Sequence, residues 1–399
     1  MKIVPGGVTA AKGFRASGVF CGIKKKKSDL ALVVSDVPAS AAGLFTSNRV
    51  KAAPLLVARE NLRRGKASAI IVNSGNANAC TGNRGIADAL AMARQVSETL
   101  KVSPGEVVVA STGVIGVKLP IGKIIRGISR AFHELNSRGG HSAAEAIRTT
   151  DTFAKEFAVR FNVSGKTITI GGMTKGAGMI HPHLATMLCF ITSDADISPP
   201  MLKAALKSVA EQSFNSITVD GDTSTNDTLV VLANGLAGNK RIVRHGRDFV
   251  KFRDALKTVA YELAKMIVRD GEGSSKLIEV VVSGAQTGKQ ATAAAKAIAG
   301  SNLVKTAVYG ADPNWGRVMA ALGRSGTIFE PCRVDISFNG YRVVRAGTDA
   351  GYDEKEAHRS LTGKEIKIEA NLHAGSAMAR VWTCDLTEDY IKINAHYRT

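Results

Sequence analysis

The sequence predicts an α+β fold made of layered domains in which hairpins and helices alternate. The chain has 399 residues, of which 45% are hydrophobic, and this length suggests two domains. Apolar residues recur at helical spacing in some stretches and alternate with polar residues in others. Turn signals separate neighbouring alternating stretches, as expected for hairpins. This mixture argues against a doubly wound parallel sheet.

The first half of the chain is predicted to contain two amphipathic helices and a hairpin. The helices span residues 83–101 and 120–135, where apolar side chains return every three or four positions. Residues 157–163 alternate between apolar and mostly polar side chains, and a Ser164-Gly165 turn leads into a second alternating segment. The change from a helical to an alternating period predicts a hairpin at this point.

The second half is predicted to contain three helices, several strands and a further hairpin. In chain order the sequence indicates a helix over 199–214, a helical stripe from Phe249 to Ile267, a strand over 277–282, an alanine-rich helix over 289–299 and a strand over 304–309. The strongest hairpin signal is Asn339-Gly340, because both residue types accept the positive φ of a type I′ turn and alternating segments flank them. The segment 365–372 alternates as well.

The chain is basic, with a formal net charge of +19 and a run of four lysines from Lys24 to Lys27. Basic surfaces bind nucleic acids through their phosphates. Aromatic residues, however, make up only 5% of the chain, and no finger, RNP or basic-helix motif accompanies the charge, which is spread along the sequence. We therefore expect a solvated lysine loop, no nucleic-acid partner, and a mild attraction for anionic small molecules.

Two further features predict a cytoplasmic protein. No run of about 18 apolar residues is present, and Pro5 with two glycines interrupts the start of the chain, so we expect neither a membrane span nor a signal peptide. The five cysteines are scattered, without a CxxC pair. Such a set is typical of free thiols in a reducing compartment and argues against disulfides and zinc.

Several short motifs resemble ligand sites but lack required residues. Residues 284–291 resemble a phosphate-binding loop, but three residues instead of four separate the glycines, and Gln290 replaces the required Ser or Thr. Residues 220–227 have the acidic spacing of a calcium loop without its glycine and glutamate. The same stretch is compatible with the start of an aspartyl-phosphate hydrolase, with Asp220 as nucleophile and Asp222 as acid, or with a polar loop before a strand.

The histidines His181 and His183 invite comparison with a metal site. They flank a proline in a glycine-rich loop, and no third ligand lies nearby in the sequence. Metal ions in proteins are usually held by three or four protein ligands. We therefore expect no metal at this loop.

The loop "KGAGMIHPHLATMLCF", residues 175–190, leads from glycines to a small residue and a threonine, Ala185-Thr186. One interpretation is a β-strand after a glycine turn, since Thr is common in strands. The other is self-cleavage before Thr186, in which its hydroxyl attacks the Ala185 carbonyl and Gly176 and Gly178 allow a strained backbone. The freed α-amine, with an ordinary pKa of about 7.7–8.0, would then serve as a general base.

Two other segments carry groups that such chemistry needs. "STGVIG", residues 111–116, follows an apolar strand, and a Thr-Gly step at a strand end presents a backbone N–H beside a hydroxyl, as an oxyanion hole requires. "DGEGSSK", residues 270–276, places Glu272 between two glycines. Taken alone, the two segments are also explained as an ordinary strand-ending turn and an ordinary polar turn.

Together these segments resemble the ornithine acetyltransferase family, the bifunctional glutamate N-acetyltransferases of arginine biosynthesis. The resemblance covers essentially the whole chain and rests on motifs in the family's order, namely "GVTAAKGFRASG", "NSGNANACTG", "STGVIG", "TTDTF", "KGAGMIHPHLATML", "SFNSITVDGDTSTNDT", "DGEGSSK", "GADPNWGR" and "CDLTEDYIKINAHYRT". Because "DGDTSTND" belongs to this pattern, the resemblance removes the phosphohydrolase interpretation.

The resemblance implies two domains of stacked β-sheets flanked by helices, with self-cleavage between Ala185 and Thr186. The α chain, 1–185, would carry the oxyanion motif, and the β chain, 186–399, would begin with the nucleophile and form the C-terminal domain. The two chains would stay together, usually as α2β2. The resemblance implies an oxyanion pair, Thr112 and Gly113, and substrate-contacting positions, namely Thr149 (with Thr150 adjacent), Lys175, Thr186, Glu272, Asn394 and Thr399.

The reaction implied by the resemblance is a ping-pong acetyl transfer without metal or nicotinamide. Thr186 would take the acetyl group from N-acetylornithine and pass it to glutamate. Acetyl-CoA serves as a further donor in only part of the family, and no motif decides this point. Leu184, Ser274 and Thr383 depart from the family's commonest residues, but none of them is the nucleophile or an oxyanion residue.

Two rival functions remain open at the level of the sequence. One is another self-processing N-terminal-threonine amidohydrolase, which would release acetate rather than transfer acetyl to glutamate. The other is a basic nucleic-acid-binding protein, which would be retained on a polyanion in a salt-dependent way and would turn over no substrate.

Overall fold

A computed structural model describes residues 1–181 and 187–396. Within these residues the strands form one nine-stranded and one six-stranded sheet, and helices flank both. This arrangement confirms the α+β prediction and excludes a doubly wound parallel fold. In the described part of the chain, no helix is both long enough and apolar enough to cross a membrane.

The larger sheet uses strands from both sides of the predicted cleavage site. Its strands are β1 (Lys2–Ile3), β2 (Phe14–Val19), β3 (Leu30–Phe45), β4 (Lys66–Asn76), β5 (Val107–Val114), β6 (Lys155–Val163), β7 (Lys166–Lys175), β8 (Leu188–Ser193) and β9 (Thr228–Ala233). They are ordered β1-β6-β7-β8-β9-β3-β4-β5, with β2 paired to β3. The pairs β4–β5 and β8–β9 are parallel.

The long strand β3 divides this sheet into two stacked layers. Residues 30–35 of β3 pair with β2, whereas residues 40–45 pair with β9, and the register with β4 shifts between Val34 and Ala39. Side chains of both layers meet in one buried core, including Ile70, Val72, Val108 and Ala110 of β4 and β5, and Met173, Phe190, Val230 and Leu232 of β7, β8 and β9. The stacking expected from the resemblance is therefore present.

Helices flank the two layers, and the helix over residues 140–147 packs into the core between them. They are α1 (Ala53–Asn61), α2 (Gly82–Leu100), α3 (Ile121–His133), α4 (Gly140–Ile147), α5 (Pro199–Glu211) and α6 (Arg247–Arg269). The predicted stripe of α6 is buried, with Phe252, Leu256, Val259 and Leu263 fully covered in a core shared with α5 and strands β6 to β9. The helices α2 and α3 share a second core with β3, β4 and β5.

The six-stranded sheet lies entirely in the second half of the sequence. Its strands are β10 (Leu277–Ala285), β11 (Asp335–Phe338), β12 (Tyr341–Arg345), β13 (Thr348–Asp349), β14 (Glu365–Asn371) and β15 (Ala377–Cys384). They are ordered β13-β12-β11-β14-β10-β15, with β10 and β14 parallel. The accompanying helices are α7 (Gly288–Ala299), α8 (Asn302–Tyr309), α9 (Trp315–Gly323), α10 (Glu354–Ser360) and α11 (Glu388–His396).

Both predicted hairpins are confirmed, and their turns have the geometry that the residues favour. Asn339 and Gly340 have φ of 47° and 82° between β11 and β12, and Ser164 and Gly165 have φ of 46° and 80° between β6 and β7. Two successive positive φ angles are the mark of a type I′ turn, which matches the twist of the flanking strands.

The predicted strand over 304–309 is wrong, because this segment is helix α8. The Ser301 side chain accepts a hydrogen bond from the Val304 amide and caps the helix, which ends at Tyr309, before Gly310. Val304, Ala307 and Val308 are buried at helical spacing. Lys305 is also buried, and its ammonium donates to the Val219 carbonyl across the fold. That distant partner, absent from the local sequence pattern, allows a lysine on an inward-facing helical position.

The predicted cut at Ala185-Thr186 does not coincide with the boundary between the two sheets. Strands β8 and β9 follow the cut in sequence but lie inside the nine-stranded sheet, where β8 pairs with β7 and β9 pairs with β3. The two predicted chains would therefore share one sheet through backbone hydrogen bonds.

Candidate active site

A cavity of about 240 Å³ lies at the end of the stacked layers where β5 and β7 end and β8 and β9 begin. Of the predicted site residues, six line it, namely Thr112, Gly113, Thr149, Lys175, Glu272 and Asn394. Thr150 lines it as well. Ala185, Thr186 and Thr399 lie outside the described residues. Met187, the residue after Thr186 in the sequence, also lines the cavity.

The oxyanion candidates Thr112 and Gly113 lie at the end of β5, beside the end of β4. Gly113 has φ of +131°, a conformation that L side chains rarely adopt. A Cβ at this position would overlap the backbone of Gly75 and lie 2.5 Å from the amide nitrogen of Asn76. Only glycine therefore fits this strand end without displacing β4.

Lys175 connects the oxyanion candidates to the charged part of the cavity. It ends β7, is only 9% exposed, and donates from Nζ to Thr112 Oγ1 at 3.2 Å. Burial lowers the pKa of Lys175, while the carboxylate of Asp151 opposes that shift. An ammonium has donors only, so the Thr112 hydroxyl accepts this bond and keeps its own proton for another acceptor.

A buried ion cluster of Lys155, Asp151 and Asp270 lies behind the cavity. Lys155 Nζ is 2.6 Å from Asp151 Oδ1 and 2.5 Å from Asp270 Oδ2, and the exposed fractions of the three side chains are 0, 0 and 3%. Burial alone would raise the pKa of Asp151, but the ammoniums of Lys175 and Lys155 outweigh it and hold that pKa well below its usual range.

The ion cluster joins the segments that carry the cavity residues. Asp151 accepts hydrogen bonds from the backbone amides of Thr149 at 2.9 Å and Gly176 at 2.7 Å, which fixes the loop before β6 against the end of β7. Asp270 accepts from the Thr152 amide at 3.0 Å. Because Asp270 is two residues before Glu272, the cluster also positions the segment that carries this carboxylate.

Glu272 also lines the cavity and is held by the C-terminal helix. Its amide donates to the Ala177 carbonyl at 3.0 Å, and its Oε2 accepts from Asn394 Nδ2 at 2.9 Å. Thr387, directly before α11, donates from Oγ1 to the Gly273 carbonyl at 2.6 Å. The helix α11 is thus docked on the loop that carries Glu272.

Asp220 has a structural task that differs from that of a phosphohydrolase nucleophile. It accepts from the amides of Met179 at 2.5 Å, Ile180 at 2.9 Å and Asp222 at 3.2 Å. These bonds occupy both carboxylate oxygens and hold the glycine-rich loop at its last described residues. Burial, followed by the charge of Asp220, raises the pKa of the neighbouring Tyr390, which also lines the cavity.

Other residues that the sequence singled out lie away from the cavity or outside the described residues. His181 Nδ1 shares a hydrogen bond of 3.1 Å with Thr218 Oγ1, whereas His183 and Leu184 lie outside the described residues. Ser274 and Thr383, which depart from the family's commonest residues, are not among the residues that line the cavity.

Sequence reasoning missed Asp227 as a site residue. It lies directly before β9, lines the cavity and is 1% exposed, and its Oδ2 has no hydrogen-bond partner among the described residues. The Thr228 amide donates to the Met187 carbonyl at 2.8 Å, which holds the residue after Thr186 beside Asp227. Burial raises the pKa of Asp227 well above its usual range. Asp227 lies in the motif "SFNSITVDGDTSTNDT", to which the resemblance gave no role, and its position at the start of a buried strand was the only further signal.

The raised pKa of Asp227 predicts a pH-dependent effect of Asp227→Asn on stability. Above pH 3.8 the unfolded chain releases a proton that the folded chain keeps, so the wild type loses stability as the pH rises toward the folded pKa. Asn cannot titrate. We therefore expect the unfolding free energy of Asp227→Asn, measured relative to that of the wild type, to increase by up to about 1.4 kcal/mol for each pH unit. Urea unfolding at pH 5, 6 and 7 measures this, and a difference independent of pH would contradict it.

Comparisons with known proteins agree with this architecture. The model of the ArgJ family matches residues 15–399. The arginine biosynthesis bifunctional protein ArgJ of Symbiobacterium thermophilum is 53% identical over 402 residues, and the alignment covers 100% of both chains.

Two solved structures are similar to parts of the chain. The crystal structure of ArgJ from Bacillus halodurans is 46% identical, with a TM-score of 0.50, over 52% of this chain and 97% of that chain. The ornithine acetyltransferase of Mycobacterium tuberculosis, solved in complex with ornithine, is 45% identical, with a TM-score of 0.44, over 46% of this chain and 99% of that chain. On the family match and the full-length identity, the chain is an enzyme that belongs to the ArgJ family.

Proposed function

We propose that the chain cuts itself before Thr186 and then transfers acetyl from N-acetylornithine to glutamate through an acetyl ester on Thr186. The observation that carries this proposal is the convergence of Thr112, Gly113, Lys175 and Glu272 on one cavity, beside the residue that follows Thr186. The relatives' role in arginine biosynthesis agrees with it.

In the cleavage step, Thr186 Oγ attacks the carbonyl carbon of Ala185. The bond to the Thr186 nitrogen breaks, this nitrogen takes up the hydroxyl proton, and an ester remains. Water then hydrolyses the ester and leaves a carboxylate on Ala185 and a free amine on Thr186. Length supports the cut: residues 186–399 are slightly more than half of the chain, and the solved Bacillus halodurans chain corresponds to 52% of it.

In the transfer steps, the free amine of Thr186 takes the proton from its own hydroxyl, and Oγ attacks the acetyl carbonyl of N-acetylornithine. The carbon–nitrogen bond breaks, and ornithine leaves with that proton. The glutamate amine then attacks the acetyl ester and restores the hydroxyl. The Gly113 amide and the Thr112 hydroxyl would donate to the oxyanion in both steps. The bond from Lys175 to Thr112 supports this role, because it leaves the hydroxyl proton of Thr112 free to be donated.

The charges of the cavity suit amino-acid substrates that carry both signs. Glu272, oriented by Asn394, would bind the ammonium of ornithine, and Lys175 would pair with a substrate carboxylate. Thr149, with Thr150 beside it, and the C-terminal Thr399 would contribute hydrogen bonds. No cofactor is needed for these steps, and acetyl-CoA would serve as a second acetyl donor.

We expect Gly113→Ala to reduce acetyl transfer about 100- to 1,000-fold, since a displaced strand end no longer aims the amide at the oxyanion. The readout is kcat with N-acetylornithine and glutamate, together with the cleaved fraction. Gly116→Ala is a matched control, because Gly116 also has a positive φ, +78°, but no atom lies within 4 Å of a Cβ there. Equal losses in both variants would contradict the oxyanion assignment.

Product analysis distinguishes the transferase from an amidohydrolase. N-acetylornithine labelled in the acetyl group is incubated with the enzyme and glutamate, and the label is followed. We expect the label in N-acetylglutamate, with ornithine released in equal amount. Label in free acetate, independent of glutamate, would show the amidohydrolase instead.

The cleaved chains would remain together because β8 and β9 pair with β7 and β3 along whole strands. An α2β2 assembly in the cytoplasm is the state we propose, in agreement with five free cysteines. Native mass spectrometry tests the assembly, and separate α and β chains would contradict it.

A further inference from the structure

The lysine loop, residues 20–29 between β2 and β3, is only partly solvated. Its last three lysines, residues 25–27, are exposed, as the sequence predicts. Lys24 departs from that prediction, because it is half-buried and its ammonium donates to backbone carbonyls of α4 and of the segment after it. Lys24 therefore has a task that its neighbours in the run do not share.

Asp29 fixes the backbone from which the Lys24 side chain extends. This carboxylate is fully buried and accepts hydrogen bonds from four successive backbone amides, those of Cys21 at 2.6 Å, Gly22 at 3.1 Å, Ile23 at 2.6 Å and Lys24 at 2.9 Å. Hydrogen bonds to an ionised carboxylate are stronger than those between neutral groups. The stem of Lys24 therefore starts from a fixed point.

The Lys24 ammonium binds the end of helix α4. Its Nζ donates to the carbonyls of Arg148 at 2.5 Å, Ser28 at 3.0 Å and Ala146 at 3.4 Å. Ala146 and Arg148 lie at the C-terminal end of α4, where a positive charge is favourable. Burial lowers the pKa of Lys24 only to about 8, so at pH 7 the ammonium carries three protons for these three carbonyls.

Lys24 and Asp151 hold one peptide group from its two sides. The carbonyl of Arg148 accepts from Lys24, and the amide of the same peptide bond, that of Thr149, donates to Asp151 at 2.9 Å. A peptide group is planar, so bonds to both of its polar atoms fix the direction in which the chain continues. The chain continues into Thr149 and Thr150, which line the active-site cavity.

The stem of Lys24 contacts a different wall of the same site. A Cβ at Gly75 would lie 3.1 Å from Lys24 Cγ, so the stem packs against the backbone of Gly75. Gly75 pairs with Gly113 in the register of β4 and β5. The stem therefore supports the strand end that carries the oxyanion candidates, whereas the ammonium supports the Thr149 segment.

We propose that the Lys24 ammonium is a positioning group for substrate binding, which acts through the Arg148–Thr149 peptide group and holds Thr149 in place for its contact with the substrate. Lys24 itself does not line the cavity. This inference rests on the proposed function, which gives Thr149 a hydrogen bond to the substrate. The alternative explanation is a general attraction of anionic substrates by the lysine run.

The test compares two methionine variants of the full chain at pH 7. Lys24→Met keeps an unbranched stem without the ammonium, and Lys26→Met removes an exposed ammonium of the same loop as a matched control. After the cleaved fraction is measured, kcat and KM are determined with N-acetylornithine. We expect Lys24→Met to raise KM about tenfold, the usual worth of one hydrogen bond, with kcat little changed because the stem still supports Gly75. We expect Lys26→Met to change neither constant.

A double-mutant cycle with Thr149→Ala distinguishes positioning from a general loss of stability. Thr149→Ala removes the side chain through which Lys24 would act, and we expect it to raise KM about tenfold as well. The combined variant then has no further contact to lose, so we expect its KM to stay about tenfold above that of the wild type. Two independent effects would multiply to about a hundredfold.

Three results would overturn the inference. Lys24→Met leaves KM unchanged. The combined variant shows the rise of about a hundredfold that independent effects give. Lys26→Met raises KM as much as Lys24→Met, which would show a general effect of charge. If Lys24→Met does not fold, Lys24→Gln replaces it in both comparisons, because its shorter amide removes the ammonium but keeps a polar group.

Failure of the proposed function would be distinguishable from failure of this inference. If the wild type transfers no acetyl to glutamate, the proposed function fails. Calorimetry then compares the affinity of ornithine for the wild type, Lys24→Met and Lys26→Met. Weaker binding by Lys24→Met alone would support the positioning role, and equal affinities or no binding would overturn it.

Discussion

Thr186→Ala is expected to leave a single uncut chain of 399 residues with no measurable acetyl transfer. The variant lacks the oxygen that attacks the Ala185 carbonyl, so neither the α-amine nor the acetyl ester can form. Intact mass spectrometry gives the chain state, and the exchange assay gives the activity. In a comparable enzyme with a covalent intermediate, loss of the nucleophile lowers kcat about a million-fold.

Thr186→Ser is the conservative partner of this experiment. Serine keeps the hydroxyl, so we expect cleavage and transfer to persist, though at lower rates because the methyl group no longer restricts the side chain. A cut Thr186→Ala chain would exclude Thr186 as the processing nucleophile. An uncut but active Thr186→Ala chain would exclude the acetyl ester.

Lys155→Met is expected to reduce the free energy of unfolding by about 3–5 kcal/mol, the usual cost of leaving buried charges unpaired. The substitution removes the ammonium that lies 2.6 Å from Asp151 and 2.5 Å from Asp270. Methionine is similar in volume, so loss of packing contributes little. Urea unfolding at neutral pH measures the effect.

Arg130→Met is the control for Lys155→Met. Arg130 forms an ion pair of 2.8 Å with Glu134, but both side chains are about half exposed, at 60 and 46%. Surface pairs contribute at most about 1 kcal/mol, so we expect a change within that range. Equal losses of unfolding free energy in the two variants would show that the buried ion cluster contributes no more to stability than a surface ion pair.

Local sequence patterns were sufficient for elements whose cause is local. The turns at Asn339-Gly340 and Ser164-Gly165 depend on two residues that accept positive φ. The helix α6 follows from an apolar stripe within its own residues. Helix α8 is not predicted by the sequence, because a lysine does not fit the buried side of a helical stripe. The group that accommodates Lys305, the Val219 carbonyl, is 86 positions away.

Some residues of the candidate site could be predicted from the sequence and others could not. Thr112-Gly113 and Glu272 could be predicted, because they occur in motifs on which the family resemblance rests. The ion pair of Lys155 and Asp270 joins residues 115 positions apart, so no window of sequence contains it. Asp227 reads as one more polar residue in a loop, and only the packing of the layers reveals a buried carboxyl.

Mass spectrometry of the enzyme under turnover can detect the proposed acetyl ester on Thr186 itself. The cleaved protein is mixed with N-acetylornithine in the absence of glutamate, and the chain 186–399 is analysed intact and after digestion. We expect a mass increase of one acetyl group on the peptide that begins with Thr186, and we expect this increase to disappear when glutamate is added. An unmodified chain during active exchange, or an acetyl group that glutamate does not remove, would contradict it.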